Sequence, residues 1–134
     1  MNKNTLTKEN LSLKLLSEIL DAAFMQFEFE KDSLIVREEN IVSIDISEAK
    51  DRINFMTMYG FVEDTPEDVK LKAINKMNNE YIMASCSFSD DTLFITYDFL
   101  VNDGLTYKNF ILTLKQFLGL PSIIVNNCAK DIIQ

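Results

Sequence analysis

The 134-residue chain has no histidine, no tryptophan, three glycines, two prolines and two cysteines. Without histidine it lacks the commonest general acid/base and the commonest zinc or iron ligand, and no Ser-His or Cys-His nucleophile pair can form within one chain. Three glycines leave no GxGxxG, GxxxxGK[ST] or GxSxG motif. Cys86 and Cys128 form no CxxC and read as reduced core thiols rather than a redox pair. No Lys/Arg cluster exists: 13 bases face 21 acids, a net charge of −8. That removes the electrostatic basis for binding nucleic acid or an anionic membrane. Lys8, Glu9, Lys14 and Glu18 interrupt the first twenty residues, unlike a secretory signal. The longest apolar stretch, Phe110 to Val125, contains Lys115, Gln116 and Pro121 and is shorter than the ~20 residues a spanning helix needs. The expectation is a cytoplasmic protein using no metal, cofactor, nucleic acid or membrane.

What is present suits one domain over residues 1–134, with a core from about 7 to 132. The chain is 47% hydrophobic, and at this length about two-thirds of the unfolded surface can be buried without staples. Residues 1–101 carry 19 acids and 10 bases, whereas 102–134 carry two and three. A nearly neutral, apolar C-terminal end on an acidic body is suited to burial.

The first six residues read as loose. From Thr7, Leu11, Leu15, Leu16, Ile19, Leu20 and Ala23 make the one-sided stripe of a helix capped by Thr7. The period then falls to two, predicting strands around Met25–Phe29, Leu34–Arg37, Val42–Ile46 and Arg52–Val62, joined by short polar turns that favour antiparallel neighbours. Thr65 as cap, Pro66 at the first helical position and Glu67-Asp68 in the first turn mark a second helix with a Val69, Ala73, Ile74, Met77 stripe, ending near Asn78-Asn79. Tyr81–Phe88 and Leu93–Val101 make a hairpin across Ser89-Asp90-Asp91-Thr92. Gly104 breaks the chain and Thr106 caps a last helix bearing Phe110, Ile111, Leu114, Phe117 and Leu118. Gly119 and Pro121 should break or kink it before a further piece at Ser122–Ile132. The predicted order, α-β-β-β-β-α-β-β-α, specifies an α+β fold: a mostly antiparallel sheet with helices on one face.

Paired acids at Glu38-Glu39, Glu63-Asp64 and Asp90-Asp91 fall in turns or just before a helix, where carboxylates solvate loops and helix N-termini. SDDTLFITYD lacks the central Gly of a calcium loop. No catalytic residue is nominated, and the chain reads as a non-enzyme. More informative is an apolar surplus of ten Phe and six Met. In Arg52–Val62, Ile53, Phe55, Tyr59 and Phe61 face one way and Met56 and Met58 the other. In Leu93–Val101, Phe94 and Leu100 oppose Leu93, Ile95, Tyr97, Phe99 and Val101. One helical layer covers one sheet face, so Met56, Met58, Phe94 and Leu100 are the candidate surface for a second copy or another protein.

The stretch AINKMNNEYIMASCSFSDDTLFITYDFLVNDGLTYKNFILTLKQFL, residues 73–118, resembles the YbjN family. Asn75 and Asn78 near the end of the middle helix, the Asp90-Asp91 turn and the DFLVNDGLTYKNF run carry that resemblance, which extends over roughly Leu11 to Leu118. It implies a type III secretion chaperone-like fold, a family described as bacterial sensory-transduction regulators, and small acidic proteins that dimerise and hold extended segments of partners. No catalytic residue comes with it. On their own chemistry, Asn75 and Asn78 read as structural caps at the helix C-terminus. The leading expectation is a regulatory or adaptor protein acting through protein contacts, as a homodimer, with an unnamed protein partner. A chaperone-like dimer holding an extended segment, and a small-ligand-binding domain with a Phe- and Met-lined cavity between sheet and helices, are the alternatives.

Overall fold

The computed structural model describes residues 4–101 and 105–134. The period-two segments become β2 (Phe27–Glu30), β3 (Ser33–Arg37), β4 (Ile41–Ile46), β5 (Arg52–Gly60), β6 (Ser85–Ser89) and β7 (Thr92–Leu100). They form one sheet in the order β2-β3-β4-β5-β7-β6, antiparallel at every junction. Helices α1 (Leu13–Ala22), α2 (Glu67–Glu80) and α3 (Tyr107–Cys128) complete an α+β fold. Gly104 lies outside the described residues.

Alternation divides the sheet into two faces. Leu34, Val36, Val42, Ile44, Ile53, Phe55, Leu93 and Ile95 point inward and are buried. They meet Leu16, Ile19 and Leu20 of α1, Ala73, Ile74 and Met77 of α2, and Phe110, Leu114, Phe117 and Leu118 of α3 in one core. Phe55 is at its centre, with ring centroids 5.1 Å from Phe99, 6.0 Å from Phe110 and 5.8 Å from Phe117. Aromatic contacts of this kind add about 0.5–1.5 kcal/mol each to the area they bury.

Four local expectations are corrected. The N-terminus is not loose from residue 4 onward: β1 (Thr5–Leu6) pairs with β8 (Leu105–Thr106), Leu6 is fully buried, and Tyr107 donates its N–H to the Asn4 carbonyl at 2.8 Å. Thr7 caps a single turn rather than α1. Its amide donates to Asn10 Oδ1 at 2.8 Å while Asn10 N–H donates to Thr7 Oγ1 at 3.2 Å, and Ser12 caps the helix by accepting from Leu15 N–H. At α2, Pro66 is the N-cap, and the Thr65 hydroxyl donates to Val62 O. Finally, α3 runs unbroken through Gly119 and Pro121. Phe117 and Leu118 before the proline and Ile124 after it are buried in the same core, so packing holds the helix where propensity alone would end it. Asn40, in the β3–β4 turn, reinforces that stretch. Its amide donates to the Leu118 carbonyl while its Oδ1 accepts from Tyr59 Oη at 3.0 Å and Ser122 Oγ at 3.3 Å.

Lys70 holds α2 to the β6–β7 turn. It is only 7% exposed, and its ammonium donates to Asp90 O at 2.7 Å and Asp91 Oδ1 at 2.8 Å. It also lies 5.5 Å and 5.7 Å from the ring centroids of Phe61 and Phe88. The turn accommodates this because Asp90 adopts φ 52°, which Asp tolerates. The interaction is asymmetric: losing Lys70 removes the bond to Asp90 O and both ring contacts as well as the ion pair, whereas Asp91 is more than half exposed and water can take the place of its carboxylate beside the ammonium. Lys70→Ala is expected to lower unfolding free energy by about 1–3 kcal/mol and Asp91→Ala by less. Urea denaturation of both variants checks the order, and equal losses would show that the ion pair, not the buried ammonium, carries the contact.

Candidate functional site

The helix-free face of the sheet is organised in rows across the strands. Met58 is the cross-strand partner of Phe94, and continuing the β4–β5 register beyond Ser43↔Met56 sets Ile41 beside Met58. Ile41, Met58 and Phe94 therefore make an apolar row. Ile41 is 55% and Met58 58% exposed. The next row runs Ile35, Ser43, Met56, Thr96 and Ser85. Beyond it Ser33, Asp45, Asn54 and Asp98 are polar throughout. A shallow hollow of about 600 Å³ lies over the apolar end, lined by Ile35, Ile41, Met56 and Met58 and rimmed by Glu30, Glu38 and Glu39.

Three of the four residues predicted as a surface, Met56, Met58 and Phe94, are thus brought together. Leu100 is not. It pairs with Arg52 at the other end of the face, six residues and about 20 Å along β7 from Phe94. Ile35 and Ile41 complete the patch instead. Their signal was present in the sequence, since Ile35 has the opposite parity to Leu34 and Val36, and Ile41 to Val42 and Ile44.

The face is acidic. Its two arginines are already paired, Arg37 with Glu28 at 2.6 Å and Arg52 with Asp98 at 2.9 Å. The Asp45 carboxylate accepts from the Ser33 and Ser43 hydroxyls, while Glu30, Glu38 and Glu39 add charge at the rim. Both ion pairs are half-exposed and contribute little to stability. Among the described residues lining the hollow, Arg37 is the one cation, and it is already paired.

Asn75 and Asn78 are not C-caps. Both lie inside α2, which runs on to Glu80 with Tyr81 as C-cap. Asn75 is on the exposed side. Asn78 brackets the backbone of Cys86 on the edge strand β6, accepting from Cys86 N–H at 2.8 Å and donating to Cys86 O at 3.0 Å. A primary amide presents the same donor–acceptor pair as a neighbouring strand, so it closes that edge at one residue. Asn78→Ala removes both bonds and is expected to lower stability by about 1–2 kcal/mol. Amide hydrogen exchange should quicken at Cys86 relative to the β4–β5 amides, and an unchanged Cys86 rate would refute the bracket.

The two thiols, distant in sequence, are neighbours in space and both are free. Cys86 is buried but Cys128 is only partly so, a correction to its reading as a core thiol. Burial, with a smaller contribution from Cys128, pushes the Cys86 thiol from 9.0 to about 11. The folded state therefore keeps a proton that the unfolded chain loses above pH 9, so stability falls as pH rises from 9 towards about 11. Denaturation midpoints across that range should show a component absent in Cys86→Ala, and parallel curves for the two proteins would contradict it. Among the described residues no carboxylate is buried, and no group of three or more His, Cys, Asp or Glu is placed to hold a metal ion. No helix among them is long and apolar enough to cross a membrane.

Residues 12–122 match the YbjN family, whose description is "Putative bacterial sensory transduction regulator". Among solved structures, the crystal structure of YbjN from E. coli, described as "a putative transcription regulator", superposes with a TM-score of 0.74 at 19% identity. The match covers 92% of this chain and 96% of that one, a likeness of fold. No curated protein matches the sequence.

Proposed function

We propose that this chain, which belongs to the YbjN family of regulators, is a non-enzymatic adaptor that docks a protein partner on the helix-free face of its sheet. The observation that carries the proposal is the Ile41–Met58–Phe94 row with Met56 and Ile35 beside it, a contiguous apolar patch where scattered surface residues would need no explanation. The methionines suit an adaptable contact, because the thioether chain re-packs against differently shaped partners. The E. coli protein is described as "a putative transcription regulator". With 21 acids against 13 bases, direct contact with DNA phosphates is disfavoured in this chain, and control through another protein accords with its charge.

Charge also distinguishes between occupants. A second copy docked face to face would set Glu30, Asp45, Glu38 and Glu39 against their own kind, whereas a partner with basic residues around an apolar centre would find complementary ones. The narrower reading, a hold on an extended segment, is favoured by the unequal sheet edges. Asn78 brackets β6, but at the other edge Phe27 and Phe29 direct their backbone groups outward: Arg37 N–H bonds Gln26 O, and alternation places Glu28, not its Phe neighbours, in the next hydrogen-bonded pair.

A photo-crosslinking amino acid at position 58, compared with one at position 100, tests the proposal in cells. A discrete heterologous adduct at 58 that is absent at 100 and lost on Phe94→Glu is expected. A self-adduct at 58 would make the face a homodimer interface, contrary to the charge argument. Equal, diffuse labelling at both positions would end the docking proposal.

A further inference from the structure

On the helix side of the molecule a second hollow, of about 400 Å³, opens between α2 and the end of α3. Its apolar floor is Val69 and Ala73 of α2 with Ala129 and Ile132 after α3. Three lysines, Lys72, Lys76 and Lys130, surround it, with Asp131 as the only acid in the lining. In a chain of net charge −8 this is an unusual concentration of positive charge.

The lysines are not explained by ion pairing. The ion pairs among the described residues are Arg37–Glu28, Arg52–Asp98 and Lys70–Asp91, none of them here. Lys76 Nζ donates to Asn127 O at 3.1 Å, which supports the end of α3 and leaves two of its donors. The Lys72 and Lys130 ammonium groups make no hydrogen bond among the described residues. Lys72 and Lys76 are also four apart on one helix, where like charges are mildly destabilising. Glu80, four residues after Lys76, forms no ion pair with it, and its carboxylate accepts from Cys128 Sγ at 3.8 Å. Clustered cations over an apolar floor, in a hollow of ligand size, are recognition chemistry for a molecule with an anionic head and a short apolar body.

We propose that this hollow binds a small organic anion, a carboxylate or phosphate headgroup held by Lys72, Lys76 and Lys130 with its apolar portion on Val69, Ala73 and Ile132. The site is separate from the docking face and does not depend on that assignment.

Titration of the full chain with hexanoate, hexanol and inorganic phosphate, followed by amide NMR, tests it. Saturable hexanoate shifts centred on Ala73, Lys76 and Ile132 are expected, with hexanol and phosphate each about tenfold weaker or more, a difference of about 1.4 kcal/mol. The Lys72→Gln, Lys130→Gln double variant, which keeps the Lys76–Asn127 bond, should weaken hexanoate by about tenfold while leaving the melting temperature unchanged. Hexanol matching hexanoate would reduce the hollow to an apolar dent, and phosphate matching it would reduce the lysines to a diffuse charge patch. Either result overturns the proposal, as does hexanoate binding that the double variant leaves intact or no saturable shift up to about 10 mM.

Discussion

The packing of Phe55 against α3 decides which side of the sheet is interior. β5 is a central strand, and Phe55 on it meets Phe99 of β7 and both Phe110 and Phe117 of α3. Because strand side chains alternate, fixing Phe55 inward also fixes Met56 and Met58 outward, and the β5–β7 register carries Phe94 out with them. The exposed apolar row therefore follows from the core. A one-residue slip of β5 would exchange the two sets, burying thioethers against α3 and exposing Ile53 and Phe55.

The second organising feature is the attachment of α2 to the β6–β7 hairpin. Lys70 satisfies the turn at Asp90 and Asp91, and Asn78, two turns further along the helix, satisfies Cys86 on the strand. These positions coincide with motif residues by which the chain resembles its family, so the Asp90-Asp91 turn and Asn78 have an architectural reading. They hold an edge hairpin that has a neighbour on one side only, where an unpaired strand would otherwise be free to fray or to recruit another chain. Such contacts stabilise the platform without touching whatever the platform binds.

Much of this was legible because period two and period 3.6 are strong signals: all six strands of the main sheet and all three helices appear where the pattern of apolar residues puts them. What escaped was non-local. The two-residue pairing of β1 with β8 joins segments a hundred positions apart and leaves no periodicity to detect. Pro121 reads as a breaker until Phe117, Leu118 and Ile124 are seen to share one core. Thr7 and Ser12 are both good caps, and only the reciprocal Thr7–Asn10 bonds show which one begins the helix. Lys70 is the instructive miss. The stripe is better written 70, 73, 74, 77 than 69, 73, 74, 77, and a lysine on that stripe signals a buried partner. The surface patch was half legible for a related reason: parity tells which face a residue takes but not which end, so Leu100 was grouped with residues about 20 Å away.

Charge is distributed with the same economy. The sheet face and its rim carry acids whose two neighbouring arginines are both paired, while three lysines that form no ion pair line the hollow beside α2. Helical geometry makes this possible within a few residues: Lys70 turns into the hairpin whereas Lys72 and Lys76, on the next ridge, turn towards α3. One helix thus presents a cation buried for structure and cations exposed around a hollow, and their surroundings separate the roles. Lys70 has a backbone carbonyl, a carboxylate and two aromatic rings around its ammonium, whereas neither Lys72 nor Lys130 has any such partner among the described residues. An ammonium whose donors are satisfied within the fold contributes to stability. One left open beside an apolar floor retains its capacity to bind, and that contrast, more than the number of lysines, is what sets the hollow apart.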